Sequence, residues 1–412
     1  MVHPDYQEIS RRFRHVPEWS DEVPLALPDA GVDLFHLAFH SKRGEFLLGR
    51  ESYRCECHGI DFPGERTVHS PEDVMIRQNL EFRYPLVRES SEKSSRKKHR
   101  HGIIILHGLN ERSFSKYIPW AYHTWNVTRV PVILFPLTFH INRVSPRWAL
   151  EQQANLESRR AIAGNENVHR FNAVISHRLG THPERFIWGA IQSYWDIVDL
   201  VRTIREGRHP HFTEDAVIDF IGFSAGGYVA LMMMLDNPEG FFSQSRAVIF
   251  ASGSMVRDVN LSSHLIVDQA AEIALMNMYV KHRKKLSGPR LLHWMQEHHE
   301  GQWFNCFCGL MPDRLRLEPG LREIASRLLG IANTNDLVFP SGAIHNSLQG
   351  IHRDIPVRVE ELDLGIHENP FAIPAYDWRD RAVLTQFLSV PLFGAGFERF
   401  IDLVGEHFAR SL

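Results

Sequence analysis

The sequence predicts an α/β fold, a mostly parallel β-sheet covered by helices on both faces. Three observations carry this expectation. From Gly102 onward, short apolar runs of strand length alternate with amphipathic helical stretches, the pattern of parallel strands joined by crossover helices. One such run, VIDFIGF, ends in a lone serine followed by glycines and a helix-forming stretch. Finally, 412 residues that are 43% hydrophobic and 23% charged can bury one large core, so one elaborated domain is expected rather than several small ones.

Residues 1 to about 70 give mixed signals, because Pro17, Pro24, Pro28, Pro63 and Pro71 break any long element. Residues 1–78 are therefore read as an N-terminal extension packed on the core, and residues 79–412 as the main domain. Asn79 to Val87 (NLEFRYPLV) is the first strand-like run. A charged link, Glu89 to Arg100, follows, and its Arg96, Lys97, Lys98 and Arg100 suit a solvated turn. GIIILHG is a buried strand, Tyr117 to Trp125 a helical stretch, and VPVILFPL the next strand. Between Glu184 and Arg205, Phe186, Ile187, Ile191, Trp195, Val198 and Val201 fall largely on one helical face. After the serine-bearing strand and its helix come the strands RAVIFASG and LLGIANTND, a helix from about Ser341 to Gln349, and a last strand, VRVEELDLG. About 70 residues separate RAVIFASG from LLGIANTND, with helices at Val267 to Lys285 and Pro289 to Phe304. This insertion, about 256–322, is expected to form a helical cap over the strand ends.

Composition narrows the function classes. A net charge of −3 provides no general attraction to nucleic acid or anionic membrane. The first residues, MVHPDYQEISRRFRH, lack an apolar signal core, and nowhere do about 18 apolar residues run together. A soluble, cytoplasmic protein without a membrane span is expected; oligomeric state is not readable. Cys55, Cys57, Cys306 and Cys308 have no standard disulfide or zinc spacing, and are read as free thiols in a reducing compartment. The 25 histidines scatter without a ligand-helix motif such as HExxH, so no metal site is read.

The chemistry centres on Gly222-x-Ser224-x-Gly226, between the β-rich Val217, Ile218, Phe220 and Ile221 and the helix formers Ala230 to Leu235. A serine hydroxyl needs to project toward a base, and a sharp strand-to-helix turn projects it. Crowding at such a turn admits only small residues two positions before and two after the serine, and glycine tolerates the strained dihedrals. The pattern predicts a nucleophile elbow with Ser224 near a helix N-terminus. There the Ala225 amide and the helix dipole can stabilise negative charge on a substrate oxygen. The plainer reading is a glycine turn that packs a helix on a strand.

From about Asn79 to the C-terminus, about four fifths of its length, the chain resembles the α/β-hydrolase superfamily. The elbow carries the resemblance, together with GIIILHG ending in His107-Gly108, the loop NTNDLVFP, and Ile366-His367-Glu368-Asn369-Pro370. The resemblance implies an eight-stranded sheet and triad residues in the order serine, acid, histidine. On it, Ser224 is the nucleophile, Asp336 the acid and His367 the base. Asp258, after the preceding strand, is the rival acid, whereas Asp363 lies too far back in the last strand. The 31 residues from Asp336 to His367 suffice for a loop, a helix, a linker and a strand returning to the same sheet edge. The oxyanion hole is assigned to the amides of Leu109 and Ala225, with Asn110 as the alternative to Leu109. His107 is expected to hold its loop by hydrogen bonds, and His345 and His352 to lie at the surface.

The resemblance implies a serine hydrolase that cleaves an ester, or an amide or thioester, of a small acyl-bearing substrate through an acyl-enzyme, without metal or organic cofactor. An acyltransferase using the same triad and a non-catalytic binding protein of this fold are the alternatives. His140, Asn142 and Arg143 follow VILFPL at the sheet end where such folds bind ligands, so these residues and Asn110 are possible contacts for a polar or anionic substrate. Tyr117, Trp120, Tyr122 and Trp125, and Trp294, Trp303 and Phe304, are candidates for an acyl pocket or for core.

Overall fold

A computed structural model describes residues 25–27, 31–47, 52–64, 73–90, 98–281, 288–308, 311–371 and 394–409. Pro17, Pro24, Pro28, Pro71, Arg96 and Lys97 lie outside these residues. Among the described residues there are eleven strands: β1 (Leu25–Leu27), β2 (Val32–His40), β3 (Tyr53–Cys55), β4 (Ile60–Phe62), β5 (Glu81–Glu89), β6 (His99–Leu106), β7 (Val132–Phe135), β8 (Phe212–Phe223), β9 (Ala247–Phe250), β10 (Leu328–Asn333) and β11 (Arg358–Leu362). Nine of them make one sheet in the order β1-β2-β5-β7-β6-β8-β9-β10-β11, and β3 and β4 form a separate hairpin. The five pairings from β7 across to β11 are parallel, and the three at the other edge are antiparallel.

The sheet contains the expected eight strands, β2 and β5 to β11, with β1 as a ninth at its edge, and β1 and β2 come from residues 1–78. β2 pairs with β5 over its whole length, from Val32↔Glu89 to His40↔Glu81, and buries Val32 and Leu34. The prolines of this region fall outside 32–40, so they flank the strand instead of interrupting it. β1 then adds the ninth strand beside β2.

Alternation along the buried strands divides the core between the two faces of the sheet. Ile104, Leu106, Ile133, Phe135, Ile218, Phe220 and Ile249 meet one cluster, together with helices α4 (Glu184–Arg205) and α5 (Ala225–Asp236). Ile103, Ile105, Val132, Leu134, Ile221, Phe223 and Phe250 meet the other, with α1 (Tyr117–Thr128) and the C-terminal α11 (Gly394–Phe408). α1 follows β6 on one face and α5 follows β8 on the other. Neighbouring strands whose chains leave toward opposite faces open a crevice at their carboxyl ends, and His107-Gly108 and Ser224 stand there. This strand order, with its elbow at the end of β8, is the α/β-hydrolase fold.

Between β7 and α4 the chain forms α2 (Arg147–Arg160) and α3 (Ala173–Thr181). Between β9 and β10 it forms α6 (Gln269–Met276), a π-helical turn (Asn277–Lys281), α7 (Pro289–Glu297), α8 (His299–Cys306) and α9 (Met311–Ile324). The expected helix over 267–285 is thus observed to Lys281; its last residues lie outside the described ones. The two insertions are tied together by Asp268, which caps α6 through the Ala271 amide and receives Arg159 from α2 at 2.7 Å. Helix α10 (Ser341–Leu348) follows β10. Among the described residues no helix is long and apolar enough to cross a membrane.

Candidate active site

The elbow is a backbone device first. β8 ends at Phe223, Ser224 takes φ 53° and ψ −123°, and α5 starts at Ala225. This conformation is sparsely populated for a residue with a Cβ and costs on the order of 1–3 kcal/mol. Asn110, Phe139, Ile141 and Ala251 also have positive φ, so such residues gather beyond the carboxyl ends of β6, β7, β8 and β9. The glycines are sterically required. A Cβ on Gly226 would lie 2.3 Å from the Leu106 carbonyl oxygen, and one on Gly222 would lie 2.6 Å from Gly227 Cα. Both obstacles are backbone atoms and cannot swing away. Gly226→Ala is therefore expected to destabilise the fold by about 3 kcal/mol or more, measured as a lower urea midpoint.

Ser224 and Asp336, 143 and 31 residues from His367, meet it beyond the strand ends. His367 Nε2 lies 2.9 Å from Ser224 Oγ, and its Nδ1 lies 2.7 Å from Asp336 Oδ2. Because a carboxylate only accepts, Nδ1–H donates to Asp336 and Nε2 is left to accept from the serine hydroxyl. All three residues are buried. The imidazole is held between two rings, stacked on Phe223 at 5.1 Å and on Phe339 at 5.3 Å between centroids. Asp336 is anchored in turn, its Oδ1 accepting the amides of Val338 and Phe339 at 2.8 Å each. Asn333, at the end of β10, binds the two loops together. Its Nδ2 donates to Gly365 O at 2.6 Å, and its Oδ1 accepts the amides of Asn335 and Leu364. The rival acids stand elsewhere: Asp258 pairs with Arg257, and Asp363 accepts from Asn335 Nδ2.

The loop after β6 distinguishes its amides by their partners. Gly108 N donates to Tyr117 Oη at 3.1 Å, and Asn110 N donates to His140 Nε2 at 2.9 Å. The Leu109 amide between them has no hydrogen-bond acceptor among the described residues. Ala225 N, first in α5, has no acceptor there either, because helix starts leave their leading amides free. Of the two candidates in this loop, Leu109 is thus the one whose donor is open.

His107 and His140 hold the same loop. His107 Nδ1 donates to Gly108 O and its Nε2 accepts Leu137 N; His140 Nδ1 donates to Thr138 O. Burial is the main reason His107 is pushed well below the usual histidine range and His140 down to about 4. Both are neutral in the fold, whereas the unfolded chain protonates them near 6.5. Their stabilising contribution is complete above about 6.5 and is lost as pH falls toward about 4. The urea midpoint is expected to drop between pH 7.5 and 5.

Two neighbouring cavities open beside Ser224. One, about 240 Å³, is lined by Ser224, His367, Gly108, Leu109, Asn110, Lys116 and Phe171. The other, about 360 Å³, begins at Leu109 and Ala225 and runs between Leu137, Phe139, Trp148, Phe186, Met232 and Phe304, with walls from α2, α3 and α4. Asn110 and His140 line the larger cavity, but Arg143 lines neither. Its guanidinium is fully buried, paired with Asp196 at 2.7 Å and bonded to Asn79 and to Pro136 O. Arg143 therefore holds the turn after β7, and Asn142 donates to Arg83 O nearby. Besides Arg112 of the loop after β6, the arginines that line the larger cavity are Arg178 and Arg185, which share Asp73. They come from helices whose spacing relative to the strands carries no local signal. The aromatic residues of α1 are core on the opposite face; of those singled out in the sequence, only Phe304 reaches the cavity wall.

The model of a family of unknown function, DUF6051, matches residues 4–390. No curated protein matches. Among solved structures, the chain is similar to carboxyl esterase 2 from the mycorrhizal fungus Tuber melanosporum, at 11% identity over all of both chains with a TM-score of 0.42. It is similar to a thermostable esterase from Pseudomonas putida at 11% identity, covering 100% of this chain and 93% of that one with a TM-score of 0.45. It is also similar to brefeldin A esterase, a bacterial homologue of human hormone sensitive lipase, at 13% identity, covering 98% and 84% with a TM-score of 0.44.

Proposed function

We propose that this chain, which belongs to DUF6051, a family of unknown function, is a serine hydrolase that cleaves carboxylic esters through an acyl-enzyme. The observation that carries this reading is the continuous relay from Asp336 through His367 to Ser224, at 2.7 and 2.9 Å. Ser224 Oγ attacks the substrate carbonyl as His367 Nε2 takes its proton. Asp336 keeps the ring in the tautomer that can do so and stabilises the imidazolium. The carbonyl oxygen becomes an oxyanion between the Leu109 and Ala225 amides, each worth roughly 3 kcal/mol in such chemistry. His367 then protonates the leaving alcohol and activates the water that releases the acid. The apolar walls of the 360 Å³ cavity suit the acyl portion, and the smaller cavity suits the alcohol.

A fluorophosphonate probe on intact protein, with p-nitrophenyl esters of increasing acyl length as substrates, tests this. One adduct on the wild type and none on Ser224→Ala, together with ester turnover, is the expected result. Labelling without release of acid, but with acyl transfer to added alcohols, would make the protein an acyltransferase. Absence of labelling would reduce the site to a binding role.

A further inference from the structure

We propose that Cys55, His58, His293 and His298 form a structural metal site, one thiolate and three imidazoles suited to Zn²⁺, that clips the β3–β4 hairpin to the cap. Each of the four offers a ligand atom, and these atoms all lie within 4.8 Å of one another. Cys55 Sγ is 3.4 Å from His58 Nδ1 and 3.3 Å from His298 Nε2. Around a tetrahedral zinc with Zn–S of about 2.3 Å and Zn–N of about 2.05 Å, sulfur and nitrogen stand about 3.6 Å apart, so the cluster needs only a small adjustment to close on an ion. The three rings meet nearly edge-to-face, at 88°, 76° and 85° with centroids 4.9 to 5.5 Å apart. Imidazoles converging on one centre are arranged this way, whereas stacked rings are not.

The surroundings point the same way. His298 directs Nε2 at the sulfur, while its Nδ1 faces Glu300 Oε1 at 3.9 Å. Glu300 is buried and receives the indole N–H groups of Trp195 and Trp294 at 3.1 Å each. A carboxylate behind the far nitrogen of a ligating histidine is the usual outer partner of a zinc site, and a bound cation would balance its buried charge. Thiolate with imidazole selects zinc and similar borderline-soft ions over magnesium or calcium. Four protein donors complete a tetrahedron and leave no position for water, so the ion would brace the fold and not hydrolyse substrate. Cys55-x-x-His58 lies in the hairpin, and His293 and His298 lie in and just after α7, 243 residues from Cys55 to His298. This site is independent of the reading of Ser224, and so is its test.

The full chain, freed of any affinity tag, is loaded with Zn²⁺ and desalted, and its metal content is measured; Co²⁺ is loaded in parallel for spectroscopy. One equivalent of zinc is expected, with the visible bands of tetrahedral cobalt and a near-ultraviolet thiolate-to-cobalt charge-transfer band. Cys55→Ser should abolish that band and Cys57→Ser should keep it, with far-ultraviolet circular dichroism reporting the fold of each. Glu300→Gln should weaken zinc about 10- to 100-fold. Wild-type protein that retains no zinc, or a charge-transfer band that survives Cys55→Ser in folded protein, would overturn the proposal.

Discussion

His367→Ala is expected to lower kcat/KM for a p-nitrophenyl ester by about 10⁴-fold or more while the protein stays folded. The size follows from the geometry. Among the described residues Ser224 Oγ has one hydrogen-bonding base, and that base is aligned by Asp336 on one side and by the rings of Phe223 and Phe339 on its faces. Removing the imidazole leaves a neutral hydroxyl, a poor nucleophile, and no acceptor for its proton. Asp336→Asn should also cost about 10⁴, because an amide that donates to Nδ1 favours the wrong tautomer. The three groups act as one unit, so Ser224→Ala combined with His367→Ala should be little slower than either alone. Losses that multiply in the double variant would argue that the residues do not form a relay. Circular dichroism separates a catalytic loss from unfolding in each variant.

Deleting residues 1–78 is expected to abolish soluble, folded protein, an effect larger than that of any single substitution. The truncation removes β2 and exposes the edge of β5 along nine residues, Glu81 to Glu89, and an unpaired edge invites aggregation. It also removes Asp73, the buried carboxylate shared by Arg178 and Arg185 at 2.9 and 2.8 Å, and Ser41, which donates to Asp196 at 2.5 Å. Breaking one buried pair costs about 3–5 kcal/mol, comparable with much of the about 5–15 kcal/mol that holds a domain together. The check is soluble yield, with fluorophosphonate labelling of any soluble fraction. A segment that only wraps the surface would leave a folded remainder that still labels.

Much of this molecule is local in its physics, and that part is readable from the chain. Gly222, Ser224 and Gly226 specify the elbow because a backbone turn constrains residues next to it in sequence, whatever the rest of the fold does. The central strands β6 to β10 are near-continuous apolar runs because both of their faces are covered, and the helix over Glu184–Arg205 announces its buried face by its period. The positions of Asp336 and His367 follow from their place after strands, which the alternating pattern locates. What depends on long-range juxtaposition has no such signature. Asn333 joins two loops 31 residues apart, Arg143 is committed to Asp196 and not to a ligand, and Arg178 and Arg185 face the cavity only because α3 and α4 pack as they do. β2 is nine residues long but lies in a segment punctuated by prolines and alternates only weakly in burial, so its membership in the sheet rests on pairing with β5, a partner about 50 residues away. The convergence of Cys55 and His58 with His293 and His298 is of the same kind. The sequence by itself determined the local chemistry, the fold class and the serine turn, because backbone sterics and burial act on neighbours. Tertiary structure alone decided which amides stay free, which charges are paired and which distant donors share a centre, because those depend on where packing brings remote segments together.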